Sequence, residues 1–269
     1  MKEDIKFYTS QNKEAWNEVV PKHQAVSKEK LDQLFSRSGY VDIMDEIFLN
    51  ELKKINVAGK DIIHLCCNNG WELFSLKNMG ANHCVGVDIS DLAIIEAQNR
   101  AKKCNIDCEF ICSDVYEISE KLNDSFDIVV LTAGCVGWIP DIKTFFKIAF
   151  RLLRKNGVIV MREIHPFSEI LPFDNNDIEN RLQIIEPYFR DEPIIENSSL
   201  DYLGGTDYTA KTQYWFVHTI SSLIMALITN GFAIEHFSEH DNDISAGHKK
   251  QEKLDAKIPL SYIIIGRKE

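Results

Sequence analysis

Two adjacent cysteines stand in an unusual turn, HLCCNNG, which runs from His64 to Gly70. Thiols and an imidazole this close together could ligate a metal or form a redox pair, whereas a turn ending in glycine could approach a bound ligand closely. No CxxC motif and no second cysteine–histidine pair completes a ligand set, which disfavours the metal and redox interpretations. We therefore predict a ligand-binding loop with structural thiols and no metal.

Acidic and basic side chains follow other apolar runs of the chain. Asp88 follows CVGV, Asp114 stands in ICSDV, and His165 follows VIVMREI. Histidine titrates near neutral pH, so His165 is a candidate general base, although a loop histidine bonded to backbone would fit equally well. Asp88 could instead cap the next helix, and Asp114 could begin a turn. The residues alone leave these alternatives open.

Short apolar strands alternate with amphipathic helices through the first half of the chain, and the residues above lie where strands end. The strands are predicted in DIIHL, HCVGVDIS, CEFICSDV, FDIVVLTAG and VIVMREI. The helix IKTFFKIAFRLLRKNG is expected to end with Gly157 as its C-terminal cap. Regular alternation of this kind predicts an α/β protein with a doubly wound parallel sheet.

The alternation stops after His165 and resumes near residue 213. The stretch 166–212 holds four prolines and a Gly204-Gly205 pair, and is too long for a plain connection. We predict that it is an inserted lid, that residues 1–39 form an N-terminal helical cover, and that residues 40–165 and 213–269 form the core. The polar insertion would lie on the substrate side of the site.

The net charge of −11 disfavours nucleic acid as a partner, because an acidic surface repels phosphate. The N-terminal residues lack the apolar core of a signal peptide, and no apolar run is long enough to span a membrane. Seven cysteines, an odd number, suggest free thiols in the cytoplasm. We expect a monomer or homodimer that binds a small molecule.

An ordered set of motifs resembles the class I S-adenosylmethionine-dependent methyltransferases. IIHLCCNNG aligns without gaps with their first motif, which is usually close to VLDLGCGTG, and Asp88 follows Gly70 by 18 residues. ICSDV, FDIVVLTAG, RLLRKNGVIVMRE and GFAIEHF…SYIIIGRK match the later blocks in order. The resemblance covers residues of about 40–165 and 213–267. It implies a Rossmann-like, mostly parallel sheet of seven strands whose last strand is antiparallel.

The resemblance also implies S-adenosylmethionine as the cofactor and indicates which residues bind it. Asp88 would accept both ribose hydroxyls, Asp114 would accept from the adenine amine, and Thr132 would line the methyl-donor end. The full set of expected cofactor-binding residues is His64, Cys66, Asn68, Gly70, Asp88, Ile89, Asp114, Val115, Thr132 and Trp16.

The first motif departs from the family pattern at His64, Cys66 and Asn68, which replace Asp, Gly and Gly. Asparagine tolerates a positive φ better than other non-glycine residues, so the turn remains possible. A neutral His64 could accept a hydrogen bond in place of the missing acid. Trp16 would either cover the sulfonium through a cation–π contact or merely pack its helix on the core.

Methyl transfer from a sulfonium is an in-line displacement, in which the protein aligns the nucleophile, excludes water and sometimes removes a proton. His165 is the candidate base, and Tyr202, Tyr214 and His218 are candidate substrate contacts. The favoured function is methyl transfer to an oxygen or nitrogen of a small molecule. A non-catalytic or regulatory protein that binds S-adenosylmethionine or S-adenosylhomocysteine is the alternative. A nicotinamide-dependent oxidoreductase is disfavoured, because G-x-G-x-x-G is absent from the first loop.

Overall fold

The computed structural model describes the backbone from residue 2 to residue 269 and the side chains from residue 5 onward. The helices are α1 (Lys2–Phe35), α2 (Glu46–Ile55), α3 (Trp71–Asn78), α4 (Asp91–Cys104), α5 (Ile142–Leu152), α6 (Ile220–Thr229) and α7 (Lys249–Glu252). The strands are β1 (Ile62–Leu65), β2 (Cys84–Asp88), β3 (Glu109–Cys112), β4 (Phe126–Leu131), β5 (Leu153–Ile164), β6 (Ile194–Glu196), β7 (Gln213–Trp215), β8 (Phe232–His240) and β9 (Ser261–Lys268).

Seven of the strands form one sheet in the order β3-β2-β1-β4-β5-β9-β8. Strands β1 to β5 pair in parallel, whereas β9 runs antiparallel to both of its neighbours, β5 and β8. The prediction of a mostly parallel seven-stranded sheet with an antiparallel last strand is confirmed. Strands β6 and β7 form a separate antiparallel pair.

The hydrophobic core lies on both faces of the main sheet, because successive strand residues point to opposite sides. Ile63 and Leu65 of β1 belong to the face that packs on α5 and α6. Ile62 belongs to the opposite face, which includes Phe74 of α3 and Phe35 of α1. Both faces of β1 are buried along its whole length, as expected for a central parallel strand.

Helix boundaries follow local hydrogen bonding. Ser90 caps α4 by accepting a hydrogen bond from the backbone N–H of Ala93. The expected cap at Gly157 is wrong, because α5 ends at Leu152 and β5 begins at the next residue. The carbonyl of Leu152 accepts from the N–H of Ser125, so the chain leaves the helix to pair with β4.

The stretch 166–212 contains one short 3-10 turn and β6, and is otherwise irregular. It contacts α1 at several points, including a hydrogen-bond contact of 3.1 Å between His23 Nε2 and the carbonyl of Leu200. Lys22 Nζ lies 4.6 Å from the ring centre of Tyr208. The division into cover, core and lid remains a prediction. None of the helices in the described part of the chain has the length and hydropathy needed to cross a bilayer.

Candidate functional site

The candidate site lies beyond the carboxyl ends of β1, β2 and β4. The chain leaves β1 toward β2 on one side, while β4 and β5 lie on the other side. The connections therefore diverge between β1 and β4, and such a switch point is where open α/β sheets bind ligands. The loops after β1, β2 and β4 carry most of the residues singled out in the sequence.

The loop after β1 turns through alternate left-handed residues. The φ angles are 56° at Cys66, 49° at Asn68 and 78° at Gly70. The tight turn expected at Asn68 is confirmed. A side chain at Gly70 would begin 2.5 Å from the ring of Phe110, so only glycine fits there. Cys66 is less usual, because a non-glycine residue in this region carries backbone strain.

Asp88 joins the first two loops of the site. Its Oδ2 accepts from the N–H of Asn68 and its Oδ1 from the N–H of Ser90, each at 2.8 Å. Since Ser90 caps α4, Asp88 does not serve as that cap. Burial raises the pKa of the Asp88 carboxyl. Each carboxylate oxygen keeps a further lone pair, so the ribose contact stays a prediction compatible with this geometry.

His64 is fully buried, and its Nε2 lies 2.9 Å from the Thr132 hydroxyl. This contact connects the ends of β1 and β4. Burial lowers the pKa of His64 to about 4, so the ring is neutral at pH 7. Its Nδ1 is buried without a hydrogen-bond partner among the described residues. An unpartnered ring nitrogen beside the loop is consistent with the predicted polar contact to a bound cofactor.

The residues expected to contact adenine are Ile89, Asp114 and Val115. Asp114 accepts a hydrogen bond of 3.0 Å from the N–H of Tyr116 and begins a short 3-10 turn. This agrees with the alternative interpretation, in which Asp114 begins a turn. The neighbouring Val115 is buried, and Ile89 is half-buried between β2 and α4. The adenine contacts of these residues remain predictions.

Helix α1 contacts the loops that follow β2 and β4. Trp16 packs edge-on against Trp138 of the loop after β4, with ring centres 5.5 Å apart. Asn17 accepts from the Ser90 hydroxyl at 2.7 Å. The structure thus shows the packing role of Trp16, and the contact with cofactor stays a prediction. Tyr202, from the insertion, lies with its ring 4.6 Å from that of His23 on α1.

His165 is held in place by both of its ring nitrogens. Nε2 lies 2.9 Å from Glu239 Oε1, and Nδ1 accepts from the N–H of Phe167 at 3.0 Å. Burial lowers the pKa of His165, opposed by the carboxylate of Glu239. An imidazole with both nitrogens hydrogen-bonded has none free to take a proton. This geometry therefore favours the interpretation of His165 as a structural loop histidine rather than a general base. Its catalytic role remains an untested prediction.

Of the candidate substrate contacts, His218 lines a small cavity near the ends of β4 and β5, whereas Tyr214 is turned toward α1. The Tyr214 ring packs 5.0 Å from that of Tyr8. The next residue, Trp215, lines the cavity, as expected from alternation along β7. A side chain at Gly137 would overlap the Trp215 indole.

Two buried glutamates in the cavity wall, Glu163 and Glu169, were not predicted as site residues. Glu163 accepts from the N–H groups of Gly134 and Val136 at 2.9 and 3.1 Å and so holds the loop after β4. Burial raises the pKa of each glutamate to about 7. The sequence feature that could have indicated these two glutamates is the presence of acidic residues within the apolar segment REIHPFSEI. Among the described side chains, no group of three or more His, Cys, Asp or Glu is placed to hold a metal ion.

Comparison with known proteins identifies the central part of the chain. Residues 62–157, from β1 into β5, match the family described as Methyltransferase domain. A 113-residue stretch is 28% identical to ribosomal protein L11 methyltransferase from Thermosipho africanus. That alignment covers 42% of this chain, and the chain spans only about 41% of the length of that relative.

Solved structures share the fold over most of the chain. An S-adenosylmethionine-dependent methyltransferase from Mesorhizobium loti superposes with a TM-score of 0.60 at 22% identity, covering 81% of this chain and 96% of its own. One from Clostridium acetobutylicum superposes with a TM-score of 0.58 at 16% identity, covering 82% and 89%. The match over residues 62–157 therefore shows a methyltransferase domain in the central part of the chain, and most of the chain shares the fold of S-adenosylmethionine-dependent methyltransferases.

Proposed function

We propose that this chain transfers a methyl group from S-adenosylmethionine to an oxygen or nitrogen of a small-molecule acceptor. The main support is the first loop, where Cys66, Asn68 and Gly70 adopt left-handed backbone and Asp88 accepts the N–H of Asn68. This loop lies at the switch point of the sheet, and its backbone leaves room for close approach of a ligand. The matching Methyltransferase domain includes the loop.

The described residues provide chemically suitable partners for each part of S-adenosylmethionine. The Asp88 carboxylate suits the ribose hydroxyls, the free Asp114 oxygen suits the adenine amine, and neutral His64 suits the polar methionine end. Bound S-adenosylmethionine supplies a methyl group activated by its positively charged sulfur. Thr132, fixed by His64, belongs to the expected methyl-donor end.

Exclusion of water is the expected task of residues 1–39 and of the lid, residues 166–212. The two segments contact each other through His23 and Leu200, and helix α1 contacts the loop after β4 through Trp16 and Trp138. Tyr202, Tyr214 and His218 remain proposed substrate contacts, of which His218 lies in the cavity wall. His165 would position the end of β5 unless it gives up one of its two hydrogen bonds.

A protein acceptor is the second candidate, because a partial relative is named as a methyltransferase of ribosomal protein L11. The alignment covers less than half of either chain, so the acceptor of that enzyme does not carry over directly. The small volume of the cavity, about 20 Å³, favours a small functional group at this position. We place the enzyme in the cytoplasm as a monomer or homodimer without nucleic acid, consistent with seven free cysteines and net acidity.

The first test is isothermal titration of the protein with S-adenosylmethionine, S-adenosylhomocysteine and NAD. We expect binding of both sulfur ligands and none of NAD. Asp88→Asn replaces one carboxylate oxygen by an NH2 group that cannot accept a hydrogen bond, so we expect about tenfold weaker binding or more. Asp107→Asn, at a side chain that is 99% exposed, is the matched control and should bind like the wild type.

Failure of the wild-type protein to bind either sulfur ligand would contradict the proposed cofactor. If both bind, acceptor screening with labelled cofactor then separates the two acceptor classes. Labelling of ribosomal protein L11 without labelling of any metabolite would replace the small-molecule proposal by the protein one. Binding without transfer to either class would support the non-catalytic alternative.

A further inference from the structure

A water-sized cavity lies beside the loop after β4, with about 20 Å³ of accessible space. This is enough for one water molecule or a chemical group of similar size. Its wall combines the carboxylates of Glu163 and Glu169 with the aromatic rings of Trp215, Phe216 and Tyr262. A buried pocket with two acids and several aromatic rings is an unusual environment in a protein core.

The two carboxylates differ in their hydrogen bonding. Backbone N–H groups of Gly134, Val136 and Ile164 donate to Glu163, which therefore has a structural task. Glu169 is only 9% exposed. Burial raises its pKa, and among the described side chains only the indole of Trp215 is placed to lower the pKa again by donating toward the carboxylate. That indole N–H itself makes no hydrogen bond of normal geometry. Glu169 thus lines the cavity without a satisfactory partner.

An unpaired buried carboxylate calls for a ligand with positive charge and N–H donors. His218 adds to this preference, because its Nε2 donates to the carbonyl of Ile139 at 2.7 Å and burial lowers its pKa, so its other nitrogen is an acceptor. Aromatic walls also favour a cation through their π faces. An alkylammonium head is comparable in size to water, carries a positive charge and donates hydrogen bonds through its N–H groups.

We propose that this cavity receives an alkylammonium group of the methyl acceptor, with Glu169 as its carboxylate partner, an inference that rests on the proposed function. The location fits, because Glu163 in the same wall holds Gly134 and Val136, which follow closely after Thr132 at the expected methyl-donor end. The acceptor would then be a small molecule that carries this ammonium group, which is bound in its protonated form and is not itself the nucleophile. Glu169 acts as a binding residue.

The test measures binding of methylammonium by ligand-observed NMR, with methanol as the neutral probe of the same size and sodium chloride at equal ionic strength. Wild-type protein should bind methylammonium saturably and methanol not detectably. Glu169→Gln keeps the shape but removes the charge, so affinity should fall about tenfold or more. Glu196→Gln is the control, because Glu196 is an exposed carboxylate whose charge acts on Glu169.

The proposal is overturned if methylammonium binds no better than methanol, or if Glu169→Gln binds it as tightly as the wild type. An equal loss in Glu196→Gln would also overturn it, since general negative potential would then explain the binding. Parallel titration with S-adenosylhomocysteine separates the two proposals. Cofactor binding without methylammonium binding removes only the amine acceptor, whereas methylammonium binding without cofactor binding removes the proposed function.

Discussion

At the scale of single residues, the site contains carboxyl groups whose pKa is raised by burial. Burial raises the pKa of Glu72, Glu163 and Glu169 from 4.5 to about 7. Such shifts cluster at functional sites, because a stably folded framework can hold groups that would prefer water. These glutamates are near the balance between neutral and charged forms at physiological pH, and a cationic ligand would favour the charged form.

The raised pKa of Glu169 predicts how stability depends on pH. Its folded pKa of about 7 exceeds the ordinary value of 4.5, so the folded state holds the proton more tightly than the unfolded state. The stability this confers is fully present below pH of about 4.5 and is lost as pH rises through about 7. Glu169→Gln removes the loss, and at pH 8 we expect it to be more stable than the wild type by on the order of 3 kcal/mol.

Urea unfolding in an amine-free phosphate buffer measures this difference, with a second series at pH 5. At pH 5 the gain should shrink to about 1 kcal/mol, because the folded state still holds the Glu169 proton and only the unfolded state has begun to lose it. Glu196→Gln, at an exposed position, should show no comparable gain at pH 8. A gain of the same size at both pH values would show that packing, rather than charge, is responsible.

At the scale of elements, α1 is joined to the core by buried polar contacts. Arg100 of α4 is fully buried and pairs with Asp32 of α1 at 2.9 Å and with Glu96 of its own helix. Arg100 also donates to the carbonyl of Asn69 in the first loop at 3.2 Å. Arg100 therefore connects α1 to the first loop.

Ser90 provides a direct test of this coupling. Its hydroxyl accepts from the N–H of Ala93 as the cap of α4 and donates to Asn17 of α1. Ser90→Ala should lower the free energy of unfolding by about 1–2 kcal/mol and increase amide exchange in α1 near Asn17. Ser198→Ala removes an exposed hydroxyl and should change neither quantity. Loss of stability without faster exchange in α1 would limit the effect to the cap.

At the scale of the whole molecule, α1 contacts both the stretch 166–212 and the loops that follow β2 and β4. Lys211 donates to Glu14 through its side chain at 3.1 Å and to Glu18 through its backbone at 2.8 Å. These are mostly exposed contacts, and such ion pairs contribute little stability. A buried contact accompanies them, because His23 Nε2 of α1 lies 3.6 Å from Asp201 Oδ1 of the insertion.

The proposed lid predicts slower hydrogen exchange in residues 166–212 when S-adenosylhomocysteine is bound. Protection should be strongest where the insertion meets α1, near Leu200 and Tyr208. Residues 119–125, which precede β4 and contact Arg151 and Lys268, provide the internal comparison. Equal protection of both segments would indicate general stabilisation, and no protection of residues 166–212 would contradict the lid.

Much of the fold was predictable because local signals and the global topology agree. The five apolar segments form β1 to β5, and Asn68 adopts the positive φ expected of it. The end of α5 was not predictable, since pairing of Leu153 with Phe126 overrides the helix pattern that extends to Gly157. Long-range pairing of this kind leaves no local sign in the sequence.

The sequence by itself determined the order of elements and the place of the site, because strand ends and loop residues follow from periodicity and motif spacing. Only the tertiary structure decided which side chains are usable there. In the folded chain both ring nitrogens of His165 are hydrogen-bonded, and Tyr214 packs toward α1. Glu169 is buried beside Trp215 with too few hydrogen-bond donors. The physical reason is that burial and hydrogen-bond partners depend on residues far away in the chain, and these set both charge state and availability.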